Sequence, residues 1–492
     1  MNILQAMVDP KLFRPWFKDP STWVAWTAFL ACLFHLPMDA ERIGIARACT
    51  GLETLPEQPF TEAWLVVGRR GGKSLVLAMI AIFLALFKDW SANLVPGERG
   101  TVLVLAADRR QAQSIMRYAT ALCTEVPLLA ARVERATTEE IEFRGRVGIE
   151  VATASYRTVR GRTLIAGLLD EIAFFRSEDS ANPDFEILDA IRPAMASMPG
   201  SMLLCASSPY SRRGALWEAY RKWYGVADAP CLVWQADTRT MNPTITQKFV
   251  DSQYERDPAS AMAEYGASFR NDIDSYVTRE AIAGVTVAGR RELLPMSGTT
   301  YVGFVDPSGG SADSMTLAIA HKEKELAVLD CVREVRPPFS PESVTRDFSI
   351  VLKSYRIHRV IGDRYAGEWV TEQFKSNGIG YELAEQAKSD IYRDVLPLIN
   401  SAKVELLDIA KLEAQFIGLE RRTARSGKDS IDHGAGAHDD VVNAACGALL
   451  RAGSYRPMKI NEDALRRLLS SPPMPGSPNY GRRGPDHGWR VW

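Results

Sequence analysis

The sequence has no C-x-x-C pair, no apolar run that would cross a bilayer, no internal repeat and almost no net charge. Each absence removes a class of protein. Its seven cysteines (Cys32, Cys49, Cys123, Cys205, Cys231, Cys331 and Cys446) are scattered and odd in number, which argues against a disulfide framework or a zinc knuckle and points to a reducing cytoplasm. The longest apolar run, Leu75 to Phe87, falls short of the ~20 residues a membrane helix needs. The first residues lack the basic region and apolar stretch of a secretory leader, so neither membrane insertion nor secretion is expected. With 59 Lys+Arg against 60 Asp+Glu and a formal net charge of −1, any polyanion must be met by local basic patches.

What is present is the composition of a folded protein: 46% hydrophobic and 24% charged residues over 492 positions, enough chain for several cores at ~150 residues per domain. Residues 1–60 read as an N-terminal helical segment, with a helix over Ser21 to Phe34 opened by Asp19-Pro20-Ser21. From 61 to 270, short apolar β-branched runs (63–67, 101–107, 148–155, 163–170, 201–208 and 231–236) alternate with helical stretches. Near-continuous apolar strands separated by helices predict a mainly parallel sheet covered on both faces. Residues 271–298 read as a linker. From 299 to 452 three strands (301–306, 315–323, 325–335) predict an antiparallel meander, followed by alternating helices and strands. The order β-β-β-α-β-α-β-α is that of a ribonuclease-H-like fold. Residues 453–492 are basic and rich in Pro, Gly and Ser, the composition of a flexible tail.

Gly68-Arg69-Arg70-Gly71-Gly72-Lys73-Ser74 lies between an apolar strand and an apolar helix. A glycine-rich turn there exposes backbone N–H groups at a helix N-terminus and cradles phosphates, with Lys73 on the β- and γ-phosphates and the Ser74 hydroxyl on Mg²⁺. The spacing departs from G-x-x-x-x-G-K-S because Val67 stands at the first glycine position; a plain strand-to-helix turn with an incidental lysine is the competing reading. The strand Leu164 to Leu169 ends in Asp170-Glu171, where Asp170 suits the Mg²⁺ shell and Glu171 the orientation and deprotonation of an attacking water. A third strand ends in Ser207-Ser208-Pro209, polar groups placed to sense a γ-phosphate or simply to turn the chain.

In a ribonuclease-H-like sheet the first and fourth strands are parallel neighbours, and acids at their C-terminal ends face one crevice. Asp306 and Asp363 occupy those ends, and Asp439-Asp440 open the last helix beside the same crevice. Three or four carboxylates from separate elements suit a pair of Mg²⁺ or Mn²⁺ ions and phosphodiester hydrolysis. Taken singly, each aspartate is also an ordinary turn or helix cap. Between the adjacent pair, Asp440 is slightly preferred as the ligand. His433 and His438 are candidates for positioning water or DNA, and Asp313 for a supporting or turn role. The segment Arg421 to Lys428 reads as a basic hairpin-like loop suited to DNA phosphates.

The arginine-bearing, shortened P-loop Arg69-Arg70-Gly71-Gly72-Lys73-Ser74 resembles that of tailed-phage large terminase subunits. So do Arg160-Gly161-Arg162 ahead of Asp170-Glu171, the Cys205-Ala206-Ser207-Ser208-Pro209 segment, Asp306-Pro307-Ser308-Gly309-Gly310 with Asp313, Gly362-Asp363, and the run from Ser430 through His438-Asp439-Asp440 to Ala444. The resemblance runs over roughly residues 20 to 452. It implies an ASCE-type P-loop ATPase domain followed by a ribonuclease-H-like nuclease domain. The implied activity is that of a DNA-packaging motor and endonuclease using ATP and Mg²⁺, with Mn²⁺ possible at the nuclease site. It further implies that Arg69 or Arg70 contacts the γ-phosphate, with Arg212 and Arg213 as weaker candidates. The implied partners are double-stranded DNA, a small terminase subunit and the procapsid portal, on which a homo-oligomeric ring, a pentamer, would assemble in the host cytoplasm. Two other functions fit parts of the pattern: a helicase-nuclease or junction-resolving ATPase outside packaging, and an ATP-gated assembly protein without nuclease activity.

Overall fold

The computed structural model describes residues 1–454 apart from 178, 179, 181, 312, 364–366, 424–428, 435 and 436. The tip of the expected basic loop (424–428) and the tail from residue 455 lie outside the described residues. Met1–Gly453 form one unit built on two large sheets.

The first sheet contains β1 (Glu62–Val67), β2 (Gly100–Ala106), β3 (Val133–Ala136), β4 (Glu140–Phe143), β5 (Val147–Thr153), β6 (Thr163–Asp170), β7 (Met202–Ser207) and β8 (Leu232–Ala236). Their order is β3-β4-β5-β2-β6-β7-β1-β8, parallel from β5 to β8. Alternate residues of each strand enter different cores. Leu65 and Val67 pack with the helix Lys73–Phe87, while Trp64 and Val66 pack with the helices Pro183–Met195 and Gly214–Trp223. Coverage of both faces explains why these strands read as continuous apolar runs. The antiparallel β3–β4 hairpin was not legible in the sequence, because β3 is largely exposed at the sheet edge and carries no apolar run. The expected N-terminal helix begins as a 3₁₀ turn at Pro20–Trp23, with Asp19 accepting from the Ser21 amide. It becomes α-helical over Val24–Phe34.

Residues 271–298 carry β9 (Ile273–Ser275), a helix at Arg279–Val285 and β10 (Thr286–Val287). The second large sheet then adds β11 (Tyr301–Asp306), β12 (Met315–Glu323), β13 (Leu326–Val335), β14 (Arg359–Gly362), β15 (Gly380–Leu383) and β16 (Val404–Leu407). Strands β11, β12 and β13 are the expected meander; β14 and β15 run parallel to β11 on its other side. The order β13-β12-β11-β14-β15 is that of the ribonuclease-H-like sheet, extended at one edge by β16 and β10. The last helix, Asp440–Ser454, lies directly on this sheet. A Cβ at Gly447 would fall 2.3 Å from the Phe304 ring, so only glycine allows the approach that brings Asp440 to the end of β11. A hairpin of β17 (Leu419–Thr423) and β18 (Asp429–His433) pairs with β9 as a separate three-stranded sheet.

Candidate active sites

The glycine-rich loop connects β1 to the helix Lys73–Phe87, with Arg70 and Gly72 in the left-handed region at φ 65° and 96°. Its carbonyls are held from outside. Trp26 Nε1 donates to Gly71 O at 2.8 Å, Thr238 Oγ1 to Arg69 O at 2.7 Å and Asn242 Nδ2 to Arg70 O at 2.8 Å. Gly68, Arg69 and Gly71 direct their own N–H groups to Ala236 O, Glu264 O and Gly68 O, which leaves the first N–H groups of the helix, without partners within it, to meet an anion. Trp26, Thr238 and Asn242 were not singled out from sequence, since nothing local marks a residue 45 or more positions away as a brace.

Lys73 is only 6% exposed. Its ammonium donates to Val67 O at 3.0 Å and Ser208 Oγ at 3.2 Å, and it pairs with Glu171 at 3.2 Å. Ser74 Oγ donates to Asp170 Oδ2 at 3.2 Å, whereas Asp170 Oδ1 is buried without a partner among the described residues. Burial, and then the neighbouring Glu171 charge, push the Asp170 carboxyl above its ordinary range, with Lys73 opposing. An orphaned buried carboxylate oxygen beside a serine hydroxyl is a donor set that fits Mg²⁺. Glu171 is itself left-handed (φ 56°), and its Oε2 accepts from Ser207 Oγ and from the Ser208 amide, each at 3.0 Å. Lys73, Ser74, Asp170, Glu171, Ser207 and Ser208 meet because β7 lies between β6 and β1 in the sheet.

The arginines separate by position. Arg69 is 60% exposed and paired with Glu264 at 3.0 Å, while the exposed Arg70 guanidinium makes no ion pair or hydrogen bond among the described residues. Arg212 stacks over Trp217, with its guanidinium carbon 5.6 Å from the ring centre. Arg213 donates to Glu420 on β17 at 2.6 Å. Arg162 pairs with Glu150.

In the second sheet, Asp306 ends β11 and Asp363 follows β14, with the Asp363 amide donating to Val305 O at 3.3 Å. Asn443, one turn into the last helix, spans them: its Nδ2 donates to Asp306 at 2.8 Å and to Asp363 at 3.4 Å. Asp440 completes the group at the helix start, its carbonyl accepting from Thr316 Oγ1 at 2.7 Å. These groups line a cavity of about 360 Å³ together with Lys388, His433 and His438. Burial drives the Asp306 carboxyl well above its ordinary value, and the surrounding aspartates add to the effect against the Asn443 hydrogen bond. Burial and Asp439 likewise raise Asp440 to about 6, opposed by His438. Three converging carboxylates, two of them reluctant to ionise without a cation, fit Mg²⁺ or Mn²⁺.

Asp439 differs from its neighbour. It is 4% exposed, and its carboxylate accepts from Tyr392 Oη at 2.9 Å and pairs with Lys388 at 2.9 Å. The chain's own donors occupy it. His433 Nδ1 bonds the Gly434 carbonyl at 3.0 Å, and His438 lies 3.6 Å from Asp313. Asn443 had a local signal, standing three and four positions after Asp440 and Asp439 on one helix face. Lys388 and Tyr392 had none.

No family model and no curated protein matches the chain. Among solved structures it is similar to the large terminase of bacteriophage HK97, with 15% identity, TM-score 0.37, and 85% of this chain and 95% of that one covered. It is also similar to the large terminase of a thermophilic bacteriophage in complex with ATP-gamma-S, with 12% identity, TM-score 0.35, and 87% and 98% covered. A third is the large terminase nuclease of thermophilic phage G20c with bound magnesium, with 13% identity, TM-score 0.32, and 36% and 96% covered. Likeness at this level assigns no activity.

Proposed function

We propose that this chain is the large terminase subunit of a tailed bacteriophage. In this reading it is a motor that hydrolyses ATP to move double-stranded DNA into a procapsid, and a nuclease that cuts the concatemer. The observation that supports this most is the coexistence, in one unit, of a braced phosphate loop with Lys73, Ser74, Asp170 and Glu171 in contact and a separate pocket at Asp306, Asp363 and Asp440. Neither constellation shares a residue with the other.

At the first site Lys73 neutralises the β- and γ-phosphates of ATP, and Ser74 with Asp170 holds Mg²⁺. Glu171, fixed by Ser207 and the Ser208 amide, orients the attacking water and takes its proton at a carboxylate oxygen. Arg70 reaches the γ-phosphate, since Arg69 is engaged by Glu264. At the second site Asp306, Asp363 and Asp440 hold the divalent metal, and Asn443 sets the angle of the first two. A bound Mg²⁺ or Mn²⁺ supplies an activated water and stabilises the leaving 3′-oxygen. Asp439 positions Lys388 and Tyr392. A small terminase subunit, the portal and a pentameric ring on it complete the reading, with the host cytoplasm as its place. No helix among the described residues is long and apolar enough to cross a membrane.

The test is cleavage of supercoiled plasmid with Mg²⁺ or Mn²⁺ by wild type and Asp363→Ala, with ATP turnover followed in the same preparations. Cutting lost in the variant while ATP turnover survives is the expected result. ATP turnover with no metal-dependent cutting, alone or with assembly partners, would replace this reading by an ATP-gated assembly protein.

A further inference from the structure

The cavity that holds Asp306, Asp363 and Asp440 has a second group of ligating atoms on its wall. Asp432, His433 and Asp439 each offer one ligand atom, and these atoms lie within 4.8 Å of one another. The position they frame is already taken by a cation of the chain itself. Lys388 Nζ lies 3.1 Å from Asp432 Oδ1, 2.9 Å from Asp439 Oδ2 and 3.2 Å from Asp439 Oδ1.

The arrangement is built. Lys388 is the first residue of the helix Lys388–Asn400, where the helix dipole disfavours a positive charge, so the two carboxylates must outweigh that cost. The helix start is tied to β18 by the Ile431 amide, which donates to Ser389 Oγ at 2.9 Å. One turn on, Tyr392 donates to Asp439, and its carbonyl accepts from Tyr276 Oη at 2.6 Å. An ammonium has three donors, and Asp432 Oδ1 with both oxygens of Asp439 meets them within 3.2 Å. The side chain, 29% exposed, lines the cavity.

We propose that Lys388 is a built-in cation of the nuclease pocket, filling the position framed by Asp432, His433 and Asp439 in place of a divalent ion, so that added metal goes to Asp306, Asp363 and Asp440. The inference rests on the nuclease reading above. It adds no proton transfer and no bond change; Lys388 contributes fixed charge.

The experiment counts Mn²⁺ bound to the full chain by electron paramagnetic resonance, for wild type, Lys388→Ala, Lys388→Gln and Lys388→Arg. The two neutral variants are expected to bind one Mn²⁺ more than wild type, and the arginine variant the wild-type number. Adding Asp432→Asn to Lys388→Ala should remove the extra ion. Lys388→Gln keeps a donor for Asp439 and serves if Lys388→Ala does not fold. An unchanged Mn²⁺ count in a folded neutral variant overturns the filled-position claim. Wild type binding no Mn²⁺ that Asp363→Ala removes would instead bring down the nuclease reading, and this inference with it.

Discussion

The two sites differ in how far the chain balances its own buried acids. At the phosphate loop, Glu171 is met by the ammonium of Lys73 at 3.2 Å and by two hydrogen-bond donors, so the chain balances that acid. In the carboxylate pocket Lys388 balances Asp439. Asp306 instead shares a neutral amide with Asp363, and the carboxyls of Asp306 and Asp440 are pushed up by burial and by one another's neighbours. A buried acid with a fixed cationic partner is ready at neutral pH, and one without is completed by an added cation. Glu171 is therefore expected to hold its place without ligand, whereas Asp170, whose second oxygen is orphaned, and the pocket at Asp306 and Asp440 depend on an added cation.

Several changes sharpen or break this contrast. Lys73→Ala removes both the phosphate contact and the partner of Glu171. ATP hydrolysis should fall by at least about 1000-fold, as for loss of a charge clamp on a transferred phosphoryl group; turnover within tenfold of wild type would defeat the assignment. Asp363→Ala should lower plasmid cleavage by at least about 100-fold with ATP hydrolysis unchanged, because removing one carboxylate opens the metal set. Parallel loss of both activities would mean the sites are not separable.

The contact of β17 with the first-sheet half of the chain gives a third, stability-based test. Glu420 on β17 is 0% exposed and accepts from Tyr210 Oη at 2.9 Å, Arg213 at 2.6 Å and Arg422 at 3.1 Å. Glu420→Ala leaves the half-buried Arg213 and Arg422 guanidinium groups without their counter-charge and should cost about 2 kcal/mol, read as a lower thermal midpoint of the full chain. A midpoint unchanged within error would show that the contact contributes nothing.

The smallest expected effect concerns pH. Asp440 titrates at about 6 in the folded chain, above the value of about 3.9 in an unfolded one. Between those values the folded state binds more protons, so this group's contribution falls as pH rises through the window. A divalent ion needs the deprotonated carboxylates. The gain in thermal midpoint from Mg²⁺ should thus be larger at about pH 7.5 than at about pH 5, and an equal gain at both would remove the argument for unbalanced acids.

How far the sites were legible follows from how local their residues are. The phosphate loop is seven consecutive residues and the Asp170-Glu171 pair two more, each attached to a strand whose apolar run is unmistakable. Asp306, Asp363 and Asp440 became a group only through strand order, which the β-β-β-α-β pattern suggested and β11 beside β14 realised. The β3–β4 hairpin and the pairing of β9 with β17 escaped because their strands are short and largely polar, and the alternation of Ile141 and Phe143 in β4 covers only four residues; the hairpin-like reading at Arg421 to Lys428 falls where β17 and β18 pair. Trp26, Lys388, Tyr392 and Glu420 carry no motif; each acquires its role from a partner distant in the chain.

By itself the sequence determined the two α/β sheets, the strand ends at which the acids stand and the glycine-rich turn, since burial on both faces and turn chemistry are written in local residue patterns. The tertiary structure alone decided which acid of an adjacent pair is taken up by the chain's own donors, which loop arginine is held by a glutamate, and where Lys388 puts its charge. Those are questions of which groups meet across the fold, and long-range contact sets that.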